Sequence, residues 1–207
     1  MERKIVITGM GAVTPLGNSV EETWRGVVAG RSGVGEVTQF DASTFPVRIA
    51  GEVHGFEPDL SRIPEEYWSI VGRSTHLCLA ATTMAFEDAG MAVSDRDPNR
   101  TGISLGADEE YLHFGMIHNL YAPEYTHSAF VHGQDAYCEL LKHSDSPAKT
   151  WAFRKKSDIG SKIIALVNEI RGPLECSHTA CSSSGHAIGK AKRLIENGDC
   201  DVVVAGG

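Results

Sequence analysis

Several things are scarce in this sequence, and each shortage removes a class of protein. Long apolar runs are missing: no window of the 207 residues comes near the roughly 18 consecutive apolar side chains a membrane-spanning helix needs. Positive charge is in the minority, with 19 Lys+Arg against 27 Asp+Glu and a formal charge of −8, which argues against a nucleic-acid-binding surface. Cysteine is sparse and odd in number (Cys78, Cys138, Cys176, Cys181, Cys200), with no CxxC pair, so neither a disulfide scaffold nor a zinc ribbon fits. A reducing cytoplasm is the expected location. There is no internal repeat and no low-complexity tract. A secretory leader is not expected either, because after Arg3 and Lys4 the apolar run Ile5 to Ile7 is only three residues long. What remains, at 42% apolar, 7% aromatic and 22% charged, is ordinary globular composition with ample material for a core.

Punctuation along the chain gives its elements. Ile5 to Ile7, closed by Gly9 and Gly11, predicts a buried first strand ending in a tight turn. Ser19 with Glu22 forms a capping box ahead of Val20, Trp24, Val27 and Val28 at helical spacing, stopped by Gly30. Between Arg31 and Glu66 the chain is rich in Gly, Pro, Ser and Asp, with a possible edge strand from Val47 to Val53. Leu77, Ala80, Ala81, Met84 and Ala85 share one face of a helix that runs out at Gly90. Thr101 to Leu105 reads as a strand. From Ala107 to Lys156 no clean period is present, and the segment is expected to be an irregular insertion with one short helix near Ala136 to Leu141. Ile163, Ile164, Val167 and Ile170 predict a helix broken by Gly172-Pro173. Leu174 to His178 follows as a strand, Ala187, Ile188, Ala191, Leu194 and Ile195 as a helix, and Val202 to Ala205 as a last strand. Alternating strands and helices mean an α/β sheet. The stop at VVVAGG reads as a cut through a fold.

The segment GPLECSHTACSSSGHAIGKAKRLIENGDCDVVVAGG carries the chemistry. Cys181 falls between the strand ending near His178 and the helix starting at Ser182, and such a turn exposes a side chain beside unpaired N–H groups. That placement suits a nucleophile whose intermediate is an oxyanion. Most free cysteines are merely small buried hydrophobes, but Ser182, Ser183, Ser184 and Gly185 leave room for a substrate. A helix dipole is worth only about 0.3–1 kcal/mol, so a further group, most simply a histidine, is expected to help form the thiolate. Cys78, Cys138, Cys176 and Cys200 are expected to have no chemistry. GMGAVTPLG half-matches a dinucleotide fingerprint, but Gly17 comes three residues too late. His113, His118, His127, His132 and His143 lack the i, i+3 or i+4 spacing of metal ligands. Arg154, Lys155 and Lys156 form a charged patch that would suit a phosphate or an acidic partner.

Taken together, VITGMGAVTPLGNSVEETWRGVVAGRSGV, the Phe40-Asp41 segment, GPLECSHTACSSSGHAIG and GDCDVVVAGG resemble the β-ketoacyl-[acyl-carrier-protein] synthases, the elongating condensing enzymes of the thiolase superfamily. The resemblance begins at residue 1 and runs nearly to residue 207, interrupted between about Ala107 and Lys156. It implies the N-terminal half of a thiolase-like fold, an α-β-α-β-α layered core, and an obligate homodimer in which the strand Leu174 to His178 pairs with its counterpart. It also implies that Cys181 takes an acyl group from acyl carrier protein, its own N–H helping to hold the oxyanion. Malonyl carrier protein then loses carbon dioxide, and its carbanion attacks the acyl-cysteine to give a 3-oxoacyl product, in fatty acid or polyketide-like synthesis. No cofactor is implied beyond the phosphopantetheine that arrives on the carrier. The family's catalytic histidines and lysine come from its second half, and no such motif occurs here; His178 and His186 do not match them.

Two departures from the family bear on specificity. After Leu105 the usual glycine-rich loop of the acyl pocket is replaced by Gly106, Ala107, Asp108, Glu109 and Glu110, and carboxylates beside a fatty tail would be costly. Ahead of Arg73, where carbon-chain elongators are often basic for carrier docking, the chain reads Ser61, Arg62, Ile63, Pro64, Glu65, Glu66, which shifts the expected docking role to Arg154, Lys155 and Lys156. The alternatives are a non-catalytic partner resembling a chain-length factor, which would lack the cysteine, and a thiolase-superfamily acyltransferase using coenzyme A, which the N-terminal motif fits less well.

Overall fold

Strand 101–106 organises the fold, and its alternation explains how. In the computed structural model, which describes residues 4–68, 71–106 and 158–207, Thr101 to Leu105 are all buried. Ile103 and Leu105 enter one cluster with Ile63, Leu79, Ile163, Ile164 and Ile170. The alternate residues are small, because neighbouring chain lies close against them. A Cβ at Gly102 would stand 2.8 Å from Cys200 Sγ, and one at Gly106 would stand 2.7 Å from the Ser184 backbone nitrogen. The period-2 alternation of a strand therefore separates an apolar face from a close-approach face.

Five strands are present among the described residues: β1 (Val34–Glu36), β2 (Ile49–Gly51), β3 (Thr101–Gly106), β4 (Leu174–Ser177) and β5 (Val202–Gly206). The α-helices are α1 (Val20–Val28), α2 (Arg73–Asp88), α3 (Ile159–Val167) and α4 (Ser183–Glu196). The main sheet has the order β4-β3-β5, all parallel, with Ile103 opposite Leu174 on one side and Val204 on the other. Residues of α2 and α3 build the cluster on one face, while Ala187 and Ala191 of α4 are buried on the other. Full burial of Ile103 and Ile164, both at 0% exposure, contributes about 1.5–3 kcal/mol apiece. At the opposite end of the strands the Arg100 guanidinium grips both Asp201 carboxylate oxygens, at 2.5 and 2.7 Å, and ties the start of β3 to that of β5.

The helix expectations match closely except over 163–170, where the helix ends at Val167 and Glu169, at φ +54°, turns the chain so that Ile170 reaches the core from outside the helix. Ser19 Oγ accepts from Glu22 N at 3.1 Å, α1 starts one residue later, and Gly30 and Gly90, at φ of +64° and +60°, follow the ends of α1 and α2. Along α2 the fully buried residues are Thr75, Leu79 and Thr82. The expected stripe containing Ala81 and Ala85 is half-buried and carries instead the N-terminal segment, whose Gly9 and Gly11 rest on the carbonyls of Ala85 and Ala81.

Two strand expectations need correction. Residues 5–7 form no strand, and Val6 and Ile7 are 59% and 82% exposed, because no described segment hydrogen-bonds alongside them. The edge strand expected over 47–53 shrinks to β2, whose antiparallel partner β1 carried no alternation in its sequence. The hairpin end is held by Glu52, which is buried and accepts from Thr38 N, Thr38 Oγ1 and Gln39 N. Those hydrogen bonds, led by the Thr38 hydroxyl, hold its carboxyl below the usual range. The insertion expected at 107–156, with its short helix and His113, His118, His127, His132 and His143, lies outside the described residues.

Candidate active site

Because β3, β4 and β5 are parallel, their carboxyl ends share one edge of the sheet, the place where α/β sheets generally bind ligands. Three chain segments converge there. Gly106 ends β3 against Ser183 and Ser184, Gly207 follows β5 and packs on the backbone of Gly106, and β4 leads through His178 and Thr179 into the reversal that starts α4.

That reversal is a single 3-10 turn, Ala180–Ser182, with Cys181 at its centre. Ala180 has φ +50°, the left-handed region that costs a non-glycine residue about 1–3 kcal/mol unless its surroundings enforce it. The enforcement is visible. Thr179 N donates to Ser183 Oγ at 2.8 Å, while Ser182 N and Ser182 Oγ donate to Thr179 O at 3.2 and 2.8 Å. Thr179 Oγ1 also shares a 2.8 Å hydrogen bond with His186 Nδ1, one turn into α4. The chain before and after the cysteine is thus cross-tied, and Cys181 is presented outward, exposed, at the helix N-terminus where N–H groups lack helical partners.

The remaining described thiols differ. Cys200 is 0% exposed under Gly102, and burial pushes its thiol up. Cys78 lies against the core cluster, and burial pushes its pKa up to about 11. Cys176 Sγ lies 3.0 Å from Ser161 Oγ, on the sheet face opposite α4. Cys181 is the one exposed thiol among the described residues. Cys138 lies outside them, as do the expected acyl-pocket residues Ala107, Asp108 and Glu109 and the expected docking residues Arg154, Lys155 and Lys156. Among the described residues no group of three or more His, Cys, Asp or Glu could hold a metal ion, and no helix is long and apolar enough to cross a membrane.

Sequence reasoning found Cys181 but missed the Thr179–His186 tie and the left-handed Ala180. The first needed the i, i+7 relation across a turn of unknown shape, and the second has no signal, since alanine does not mark positive φ.

Residues 2–207 match the family described as "Beta-ketoacyl synthase, N-terminal domain". The chain is 33% identical over 214 residues to the 3-oxoacyl-[acyl-carrier-protein] synthase 2 of Vibrio cholerae and 30% identical over 213 residues to that of Coxiella burnetii. In both cases it is covered completely yet spans 45% of the relative's length. Among solved structures it superposes on the ishigamide ketosynthase/chain length factor with a TM-score of 0.76 at 27% identity, covering 100% of this chain and 47% of that one. The thiolase-like fold expected from the motifs is the fold of such neighbours.

Proposed function

Because the chain belongs to the β-ketoacyl synthase family and comprises its N-terminal domain, we propose that it supplies the nucleophile of a decarboxylative condensing enzyme. Cys181 Sγ attacks the carbonyl of an acyl-[acyl-carrier protein] thioester; the acyl–sulfur bond forms and the carrier's phosphopantetheine thiol leaves with the proton. Malonyl-[acyl-carrier protein] then releases carbon dioxide, the resulting carbanion attacks the acyl-Cys181 carbonyl, and the cysteine leaves as 3-oxoacyl-[acyl-carrier protein] is formed. The observation that carries this reading is the outward presentation of Cys181 on a cross-tied turn at the N-terminus of α4. The first N–H groups there are fixed dipoles, which stabilise an oxyanion without reorganising as it forms.

A homodimer and a carrier-protein partner belong to the same reading. The outer edge of β4 has no neighbouring strand among the described residues, which leaves it able to pair with β4 of a second copy and so form a homodimer. Acyl carrier protein is the implied partner, with Arg154, Lys155 and Lys156 as its docking residues and Ala107, Asp108 and Glu109 beside the acyl chain.

Incubating the chain with an acyl carrier-protein thioester and mapping the labelled peptide tests the central claim. The acyl group is expected on Cys181 and is lost in Cys181→Ala. Acylation of Cys200 or Cys138 to the same extent would overturn it. Condensation and malonyl decarboxylation are not expected from the 207 residues alone, since the resemblance places the histidines that stabilise the carbanion in the family's second half.

A further inference from the structure

On the α2–α3 side of the sheet two arginines share one cavity, which the condensing chemistry does not use. Arg62, just before the 3-10 turn Glu65–Tyr67, and Arg96, between a second 3-10 turn (Val93–Asp95) and β3, line a space of about 370 Å³ with Phe86, Met91, Val93 and Asn168. Arg96 is buried at 8% exposure, its guanidinium stacked 3.8 Å from the centroid of the Phe86 ring. Arg62 is half-buried.

Among the described residues no carboxylate lies within ion-pair distance of either guanidinium. Arg62 donates to Thr83 Oγ1 at 2.9 Å and, near the limit of a hydrogen bond, to Asn168 Oδ1 at 3.3 Å and Val167 O at 3.4 Å. Arg96 donates to Ala92 O at 3.3 Å and Asn168 O at 3.4 Å. Both thus lean on the last carbonyls of α3, whose dipole offers about half a negative charge against two positive ones. Asp95 and Glu169 attract Arg96 only from a distance, Asp59 attracts Arg62 in the same way, the two arginines repel each other, and Glu87 sits in the cavity lining. Ten N–H donors on two forks meet five protein acceptors, and four of those contacts are 3.3 Å or longer.

We propose that this cavity binds a phosphate-type oxyanion, carried on a small phosphate ester, between Arg62 and Arg96. A carboxylate has two oxygens and is filled by a single guanidinium fork, whereas a tetrahedral dianion accepts from two forks at once and matches two like charges held together. The apolar wall of Phe86, Met91 and Val93 receives the ester's carbon part. None of this depends on Cys181.

Titration calorimetry of the chain with inorganic phosphate at constant ionic strength is the test, with acetate as a second arm. One saturable phosphate site per chain is expected, weakened about tenfold or more, equivalent to 1.4 kcal/mol, by Arg62→Gln and by Arg96→Gln. Arg25→Gln, on the exposed face of α1, is expected to leave binding unchanged. Should Arg96→Gln fail to fold by circular dichroism, the half-exposed Arg62→Gln decides. Absence of saturation, undiminished binding by Arg62→Gln, or acetate binding as tightly as phosphate would each overturn the proposal.

Discussion

The two sides of this chain use the same kinds of residue to opposite ends. Between the sheet and α2–α3, Ile103, Ile163 and Ile164 are sealed at 0–2% exposure. Along the N-terminal segment and α1, Val6, Ile7, Trp24 and Val28 stand 59–82% exposed. On α4 the contrast occurs within one helix: Ala187 and Ala191 are buried on the sheet while Ile188, 55% exposed, faces outward with open space over Gly185 and Gly189. Burial here is decided by topology, not by residue type. A β-branched residue is sealed where the sheet, α2 and α3 close over it.

The largest loss of stability is expected from Ile164→Ala. Removing three carbons from a fully buried site costs their transfer free energy and leaves a cavity, so a loss of about 2–5 kcal/mol is expected in urea denaturation. Gly106→Ala comes next. The atoms its Cβ would meet, between 2.7 and 2.8 Å away, include backbone of Ser183 and Ser184 that cannot swing aside. A cost of about 3 kcal/mol is expected, at the upper end of overpacking effects. The same shift would move the start of α4, so acylation of Cys181 should slow even in the fraction that remains folded.

How much of this was legible in sequence follows from where the information lies. Both ends of α1 and the stop of α2 were legible because caps and stopping glycines act within a few residues, as Ser19, Gly30 and Gly90 show. β3 was legible because a run buried on both faces needs no partner to be recognised. Ile5 to Ile7 looked equally apolar, yet no described segment pairs with it, and no local pattern encodes a neighbour. Cys181 was legible through its flanking serines and glycine. Arg62 and Arg96 were not, being 34 positions apart and joined only by the packing of α3 against α2.

Among the thiols the comparison becomes a pH dependence. Cys78 has its pKa raised from 9.0 to about 11, chiefly by burial. The folded state therefore holds its proton more tightly than the unfolded chain. Stability from this group is complete below about pH 9 and is lost as pH rises from there toward 11. The loss should be of order 2 kcal/mol, read as a falling urea midpoint that Cys78→Ala flattens. Cys200 acts in the same direction. A midpoint unchanged between pH 9 and 11 would mean that water reaches Cys78 freely.

The smallest effect belongs to the open side. Ile7 is 82% exposed and outside the core cluster, so Ile7→Ser removes almost no buried area. Its stability change should stay within about 0.5 kcal/mol, the opposite of Ile164→Ala although both replace an isoleucine. The substitution should still be visible elsewhere. Val6 and Ile7, like Val27 and Val28 of α1, expose apolar surface of the kind that soluble proteins normally cover. Sedimentation of the 207-residue chain should therefore show less self-association for Ile7→Ser than for the unaltered sequence, with the urea midpoint the same. A loss above about 1 kcal/mol would instead place Ile7 under cover in solution, since only burial converts the removal of an apolar side chain into that much free energy.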